Sequence, residues 1–178
     1  MLLDLFDGKK LRRAGAWALY MVAVLFLQNM VFSNISILGV KTLFLPAACV
    51  LAGMLEGGVF GAVFGLVCGF FGDMSFAENT VLFTVIFAAA GFFGGFAATF
   101  LFNKKFWSYL LLATLSMLLT GLCQAVFAAI ASGSSLWPLL PTALLQTLWS
   151  IPVAAALYPP ARKISDRFSG LPQRKDIK

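Results

Sequence analysis

The sequence predicts an all-α integral membrane protein, a six-helix transmembrane bundle with both termini in the cytoplasm. Three observations carry this expectation. The chain of 178 residues is 61% hydrophobic and only 11% charged, with a mean hydropathy of +0.93, whereas soluble domains carry about a quarter charged residues. Its apolar residues fall in runs long enough to cross about 30 Å of hydrocarbon at 1.5 Å per residue. Between positions 14 and 161 the charged residues are Lys41, Glu56, Asp73, Glu78, Lys104 and Lys105 alone, and a soluble fold of this length could not enclose so large an apolar fraction.

Taken in order, the chain divides into a basic N-terminal segment at 1–13, a membrane domain at 14–160 and a basic tail at 161–178. The opening "MLLDLFDGKKLRR" places a basic cluster before an apolar run, but its acidic residues and the lack of an A-x-A site argue against a removable signal peptide. Spans are expected at 14–32, 80–102, 107–130 and 137–159. The run 37–72, interrupted by Pro46 and "EGG" at 56–58, is either one long helix or two short ones. Charge placement favours two. With six spans in total, "KKLRR", Lys104, Lys105, Arg162, Lys163 and Arg167 share the cytoplasmic side, as the positive-inside rule prefers. Glu56 then sits in a cytoplasmic turn that Gly57 and Gly58 make possible, and Asp73 and Glu78 sit at the outer edge. Trp17, Trp107, Tyr109, Trp137 and Tyr158 fall near the expected ends, where amphipathic rings belong. Trp149 is mid-span and has no such explanation.

The net charge of +6 resides mainly in two tails and one loop. That distribution suits membrane orientation and contact with anionic lipid through Lys104, Lys105, Arg162, Lys163 and Arg167. It does not suit nucleic acid, which needs a basic face along a folded surface. Cys49, Cys68 and Cys123 lie far apart in apolar runs and read as packing residues. There is no histidine, so the commonest transition-metal ligand and neutral-pH proton shuttle is missing. No triad or activated-cysteine pair can form, and Asp73 with Glu78 in one short loop makes a poor glycosidase pair. The residues therefore predict no enzyme, no cofactor and no metal site.

The stretch "GMLEGGVFGAVFGLVCGFFGD" at 53–73 carries the strongest pattern. Gly53, Gly57, Gly61, Gly65 and Gly69 recur at four-residue intervals, and Asp73 takes the next place. Small residues let helix backbones approach closely where lipid offers little hydrophobic drive for association. Gly91 and Gly95 repeat the spacing on the next span, beside Gly94, so these two helices are expected to pack together. The stripe reads as internal packing, as a docking groove for another protein's transmembrane helix, or as the wall of a small-ligand cavity. Asp73 reads as a helix-ending carboxylate bonded to the turn Met74–Asn79, or as a contact for an extracytoplasmic partner. A proton relay would lack a second mid-membrane group. Gln28, Asn29, Gln124 and Gln146 read as interhelical hydrogen-bond glue.

Together, "GAVFGLVCGFFGD" at 61–73, six expected spans and the ending "YPPARKISDRF" at 158–168 resemble the rod shape-determining protein MreD family, over roughly residues 15–168. Gly61, Gly65, Gly69 and Asp73 match that family's glycine-spaced helix closing on Asp, and Arg162, Lys163 and Arg167 match its basic exit from the last span. Two places depart from its pattern, since Pro46 is followed by Ala47 and "MSFAENT" lacks the loop glycines. The resemblance implies a non-catalytic scaffold in the bacterial inner membrane, with MreC, MreB filaments, the RodA glycosyltransferase and a class B penicillin-binding transpeptidase as neighbours. A similar six-helix architecture occurs in the substrate-binding S components of energy-coupling-factor vitamin transporters. For that alternative, "AGAWA" at 14–18 would be the docking face, and Lys41, Asn34, Asp73, Glu78 and Asn79 the polar supply for a ligand.

Overall fold

The computed structural model describes residues 8–32, 36–37, 40–75, 82–100, 106–133, 137 and 139–168. Helix α1, Gly8–Phe26, continues through a wider π-helical turn at Leu27–Phe32, and a two-stranded hairpin of β1, Ser36–Ile37, and β2, Val40–Lys41, follows. Then come α2, Leu45–Glu56, α3, Gly58–Ser75, α4, Leu82–Phe100, α5, Phe106–Ser132, and α6, Leu140–Phe168. The protein is a multi-helix integral membrane protein. Among the described residues, four helical stretches are long and apolar enough to cross a membrane: Leu11–Phe32, Leu82–Thr99, Phe106–Ile130 and Leu140–Arg167.

The run 37–72 does hold two helices, and both are short. The break falls at Gly57, whose φ of 111° is strained for any side chain but open to glycine. Its N–H donates to Gly53 O at 2.8 Å, closing the end of α2. The 12 residues of α2 span only about 18 Å, yet Leu45 through Met54 are all buried. This helix is apolar on every face because it is the centre of the bundle, packed against α3, α4, α5 and α6.

Two boundaries differ from those expected. Helix α1, Gly8–Phe26, takes in "KKLRR". Helix α6 continues through Pro159 and Pro160 to Phe168, taking in the basic residues assigned to the tail. Each proline removes an N–H and leaves the carbonyl four residues earlier unbonded within the helix, here those of Ala155 and Ala156. Buried tyrosine hydroxyls brace the flanking carbonyls, with Tyr109 donating to Ala154 O at 2.9 Å and Tyr20 to Leu157 O at 3.3 Å. Trp17, Tyr109 and Tyr158 are consequently core residues, not interfacial rings. Trp107 and Trp137 are exposed, and Trp149 lies at the apolar surface, 39% exposed.

Candidate functional site

The glycine series does not lie on one helix. Gly53 belongs to α2, Gly57 is the turn, and Gly61, Gly65 and Gly69 are on α3. Helices α3 and α4 make the most extensive contact in the fold, and they do so backbone to backbone. A Cβ at Gly61 would stand 2.5 Å from both Gly91 O and Gly53 Cα, so glycines from three helices meet at one point. A Cβ at Gly65 would stand 2.5 Å from the carbonyl carbon of Phe87, and one at Gly69 would stand 2.6 Å from Phe83 O. Gly95 packs over the α2–α3 turn, 2.7 Å from the carbonyl carbon of Gly57 by the same measure, and Gly94 sits over Val50. No larger residue fits these positions without moving backbone, since interiors are close-packed and deform poorly.

Asp73 closes this seam. Its carboxylate accepts from the N–H groups of Phe83 and Thr84, each at 2.9 Å, and from the Thr84 hydroxyl at 2.5 Å. These are the first-turn donors of α4, which have no partner within their own helix. The carboxylate also faces the positive end of that helix dipole. The four-residue spacing that keeps Gly61, Gly65 and Gly69 against α4 thus delivers Asp73 to the point where α4 begins. Its bonds among the described residues run to α4; residues 76–79 of the turn that the sequence suggested lie outside the described residues.

A second polar cluster supports the irregular backbone of residues 42–44, which is buried between β2 and α2. Irregular backbone inside a membrane protein must find partners within the protein. Gln28, on the π-helical turn of α1, donates from Nε2 to Thr42 O at 2.8 Å and accepts from Phe44 N–H at 3.2 Å. Ser150 of α6 accepts from Leu43 N–H at 3.0 Å and donates to Gln146 O at 2.7 Å. Gln28 is therefore glue between a side chain and backbone. Asn29 is exposed. Gln124 and Gln146 are half-buried along a groove between α5 and α6.

At the opposite end from Asp73, Glu56 pairs with Arg13 and accepts from the Trp17 indole N–H at 2.8 Å. The Glu56 side chain is only 7% exposed, so it is enclosed by α1 rather than free in a turn. A carboxylate at the C-terminus of α2 opposes that helix's dipole, and the Arg13 guanidinium compensates it. Arg162 lies 3.7 Å from Asp166 and donates to the Tyr158 hydroxyl at 3.2 Å, while Lys163 and Arg167 are exposed. Lys41 is exposed on β2. Lys104, Lys105, Asn34, Glu78 and Asn79 lie outside the described residues. Of the "AGAWA" stretch, Ala14, Gly15 and Ala18 are exposed and Trp17 is buried.

Sequence reasoning missed Ser150 and the Arg13–Glu56–Trp17 cluster. A signal for the latter was present, because Arg13 and Trp17 stand four residues apart on one helical face, with Glu56 the acid expected on their side. Ser150 had no such signal, since hydroxyls in membrane helices usually bond to their own helix. Compared with protein-family models, curated proteins and solved structures, the chain gives no significant match.

Proposed function

We infer that the chain is a non-catalytic membrane scaffold of the bacterial elongation machinery, of the MreD type, linking peptidoglycan synthases and MreC to MreB-directed control of cell shape. The observation that carries this reading is that the residues of the resemblance form one structural unit. Gly61, Gly65 and Gly69 are the contact face of α3, and Asp73 is its terminal clasp on α4.

Six spans with cytoplasmic termini suit the same reading. The Arg13–Glu56 pair brings the start of α1 to the α2–α3 turn, and the Tyr20–Leu157 bond sets α1 beside the last helix. The basic ends of α1 and α6 then share one side, which the positive-inside rule assigns to the cytoplasm of the inner membrane. A scaffold works by shape, and the sealed α2–α4 unit supplies a rigid body. Its outward faces carry Val63, Leu66 and Phe70 on α3 and Phe92, Phe93 and Phe96 on α4, apolar surface available to lipid or to a partner's transmembrane helix. Asp73 serves this reading as a structural clasp on α4.

The test is a partner census. The tagged chain is crosslinked in its native membrane, purified in mild detergent and its companions identified by mass spectrometry. MreC together with RodA, its transpeptidase or MreB is the expected result. Recovery of a transporter's transmembrane coupling subunit with paired ATPases would overturn the scaffold and make the chain a solute-binding component.

A further inference from the structure

Grooves follow the α5–α6 contact among the described residues. One, of about 150 Å³, holds the carboxamides of Gln124 and Gln146, which bond no other described residue. A larger trough of about 280 Å³ lies nearer the basic end, lined by Leu111, Thr114, Leu115, Leu118 and Thr147. Its walls are apolar in effect, because the Thr114 and Thr147 hydroxyls donate to Leu111 O and Ala143 O of their own helices, each at 2.9 Å. Spread over the roughly 10 Å of rise from Leu111 to Leu118, that volume makes a trough about 5 Å across. A helix, about 10 Å wide with its side chains, cannot enter it. A single hydrocarbon chain can.

The mouth of the trough is charged. Trp107, Leu111, Leu115 and Leu118 follow one face of α5, and Trp107 is exposed. On α6, Thr147, Tyr158 and Arg162 share a face by the same periodicity. Tyr158 meets the Phe106 ring at 5.2 Å, and the Arg162 guanidinium lies over the Tyr158 ring at 5.8 Å. Arg162 donates from Nη1 to the Tyr158 hydroxyl at 3.2 Å, and its Nε lies 3.7 Å from the exposed Asp166 carboxylate. The fork has N–H groups beyond these. The Phe106 contact sets Tyr158 level with the start of α5, so Arg162 stands one turn, about 6 Å, outside it. Leu111 lies about 7.5 Å inside. Headgroups add about 5–7 Å to each side of the hydrocarbon, so a cation at phosphate depth and a trough at chain depth fall on one line.

We propose that the trough and Arg162 form a binding site for one anionic phospholipid of the leaflet at the basic end. Its phosphate rests on the Arg162 guanidinium, its glycerol beside Trp107, and one acyl chain against Leu111, Leu115 and Leu118. Charge complementarity selects the headgroup, since a guanidinium fork suits phosphate, and the width of the trough selects a chain. This is a narrower claim than a general attraction of the basic ends to anionic lipid. Lys163 and Arg167 are turned about 100° and 140° around α6 from Arg162 and do not overhang the trough. The inference is independent of the scaffold reading and stands or falls without it.

The test is native mass spectrometry of the full chain, titrated in detergent with phosphatidylglycerol or, separately, with phosphatidylcholine of the same chains. One phosphatidylglycerol per chain should be retained, in clear preference to phosphatidylcholine. Arg162→Gln, which can still bond the Tyr158 hydroxyl, should weaken phosphatidylglycerol about fivefold, while Lys163→Gln and Arg167→Gln leave it nearly unchanged. Leu115→Trp fills the trough without touching charge and should weaken both lipids, with gel filtration checking that each variant is folded. Equal affinity for the two lipids, equal loss at Arg162, Lys163 and Arg167, or unchanged retention in Leu115→Trp would overturn the proposal. So would a photocrosslinker placed at Leu115 that captures, in native membranes, a protein helix and no phospholipid.

Discussion

The α2–α4 unit and the α5–α6 pair are both built from largely apolar helices, yet they are held by different means. In the first, glycines at 53, 61, 65, 69, 91 and 95 remove side chains from the contact, so backbone lies on backbone over the length of α3. In the second, one comparable approach occurs, with a Cβ at Gly121 standing 3.2 Å from the Ala143 methyl. Elsewhere that pair relies on ordinary side chains, with grooves along it among the described residues. The lesson is about hydrocarbon as a solvent. With little hydrophobic drive between helices, tight contact comes from small residues and satisfied polar groups. The first unit uses both fully, and the second leaves two carboxamides unspent.

That difference can be broken most severely in the seam. Gly65→Leu drives a side chain into the Phe87 carbonyl and should cost more than the roughly 1–3 kcal/mol typical of overpacking, read as loss of a monodisperse folded species in detergent. Gln28→Leu comes next. It strands Thr42 O and Phe44 N–H, at about 1–3 kcal/mol for each buried group left unsatisfied, measured by thermal unfolding. Asp73→Ala removes the cap of α4 and should cost about 1–2 kcal/mol. Amide exchange should accelerate at Phe83 and Thr84, and Asp73→Asn, which retains an acceptor, should lose less. Gly121→Ala is the mild counterpart in the looser hairpin, where helix propensity and crowding against Ala143 should cancel to within about 0.5 kcal/mol.

The pattern of glycines was legible because four-residue spacing has one physical meaning on a helix, a single slowly drifting face. The pairing of α3 with α4 followed from the matching spacing at Gly91 and Gly95. What Asp73 touches was not legible, because it depends on where α4 starts relative to α3, and that register is a tertiary fact. The same holds for Glu56, which was expected in a turn and is instead the last residue of α2, enclosed by Arg13 and Trp17. Helix α6 ran past its expected end at Pro159 and Pro160, with Tyr20 and Tyr109 bonded to carbonyls nearby. Local rules read a double proline as a stop, and the helix continues through it. Trp17 shows the converse error, since an amphipathic ring near a helix start can serve the interface or, as here, a buried carboxylate.

Close backbone contact, not helix propensity, explains the glycines of α3. The most direct measurement is the unfolding free energy of Gly65→Ala beside that of Gly15→Ala, in the same detergent or bilayer. Both positions are inside helices, and propensity alone would reward alanine at each by about 0.5–1 kcal/mol. Gly15 has nothing within 4 Å of an added Cβ, whereas Gly65 has the Phe87 and Ala88 backbone there. The expected result is opposite signs, with Gly15→Ala stabilising and Gly65→Ala destabilising by about 1–3 kcal/mol. Stabilisation at both positions would contradict the seam.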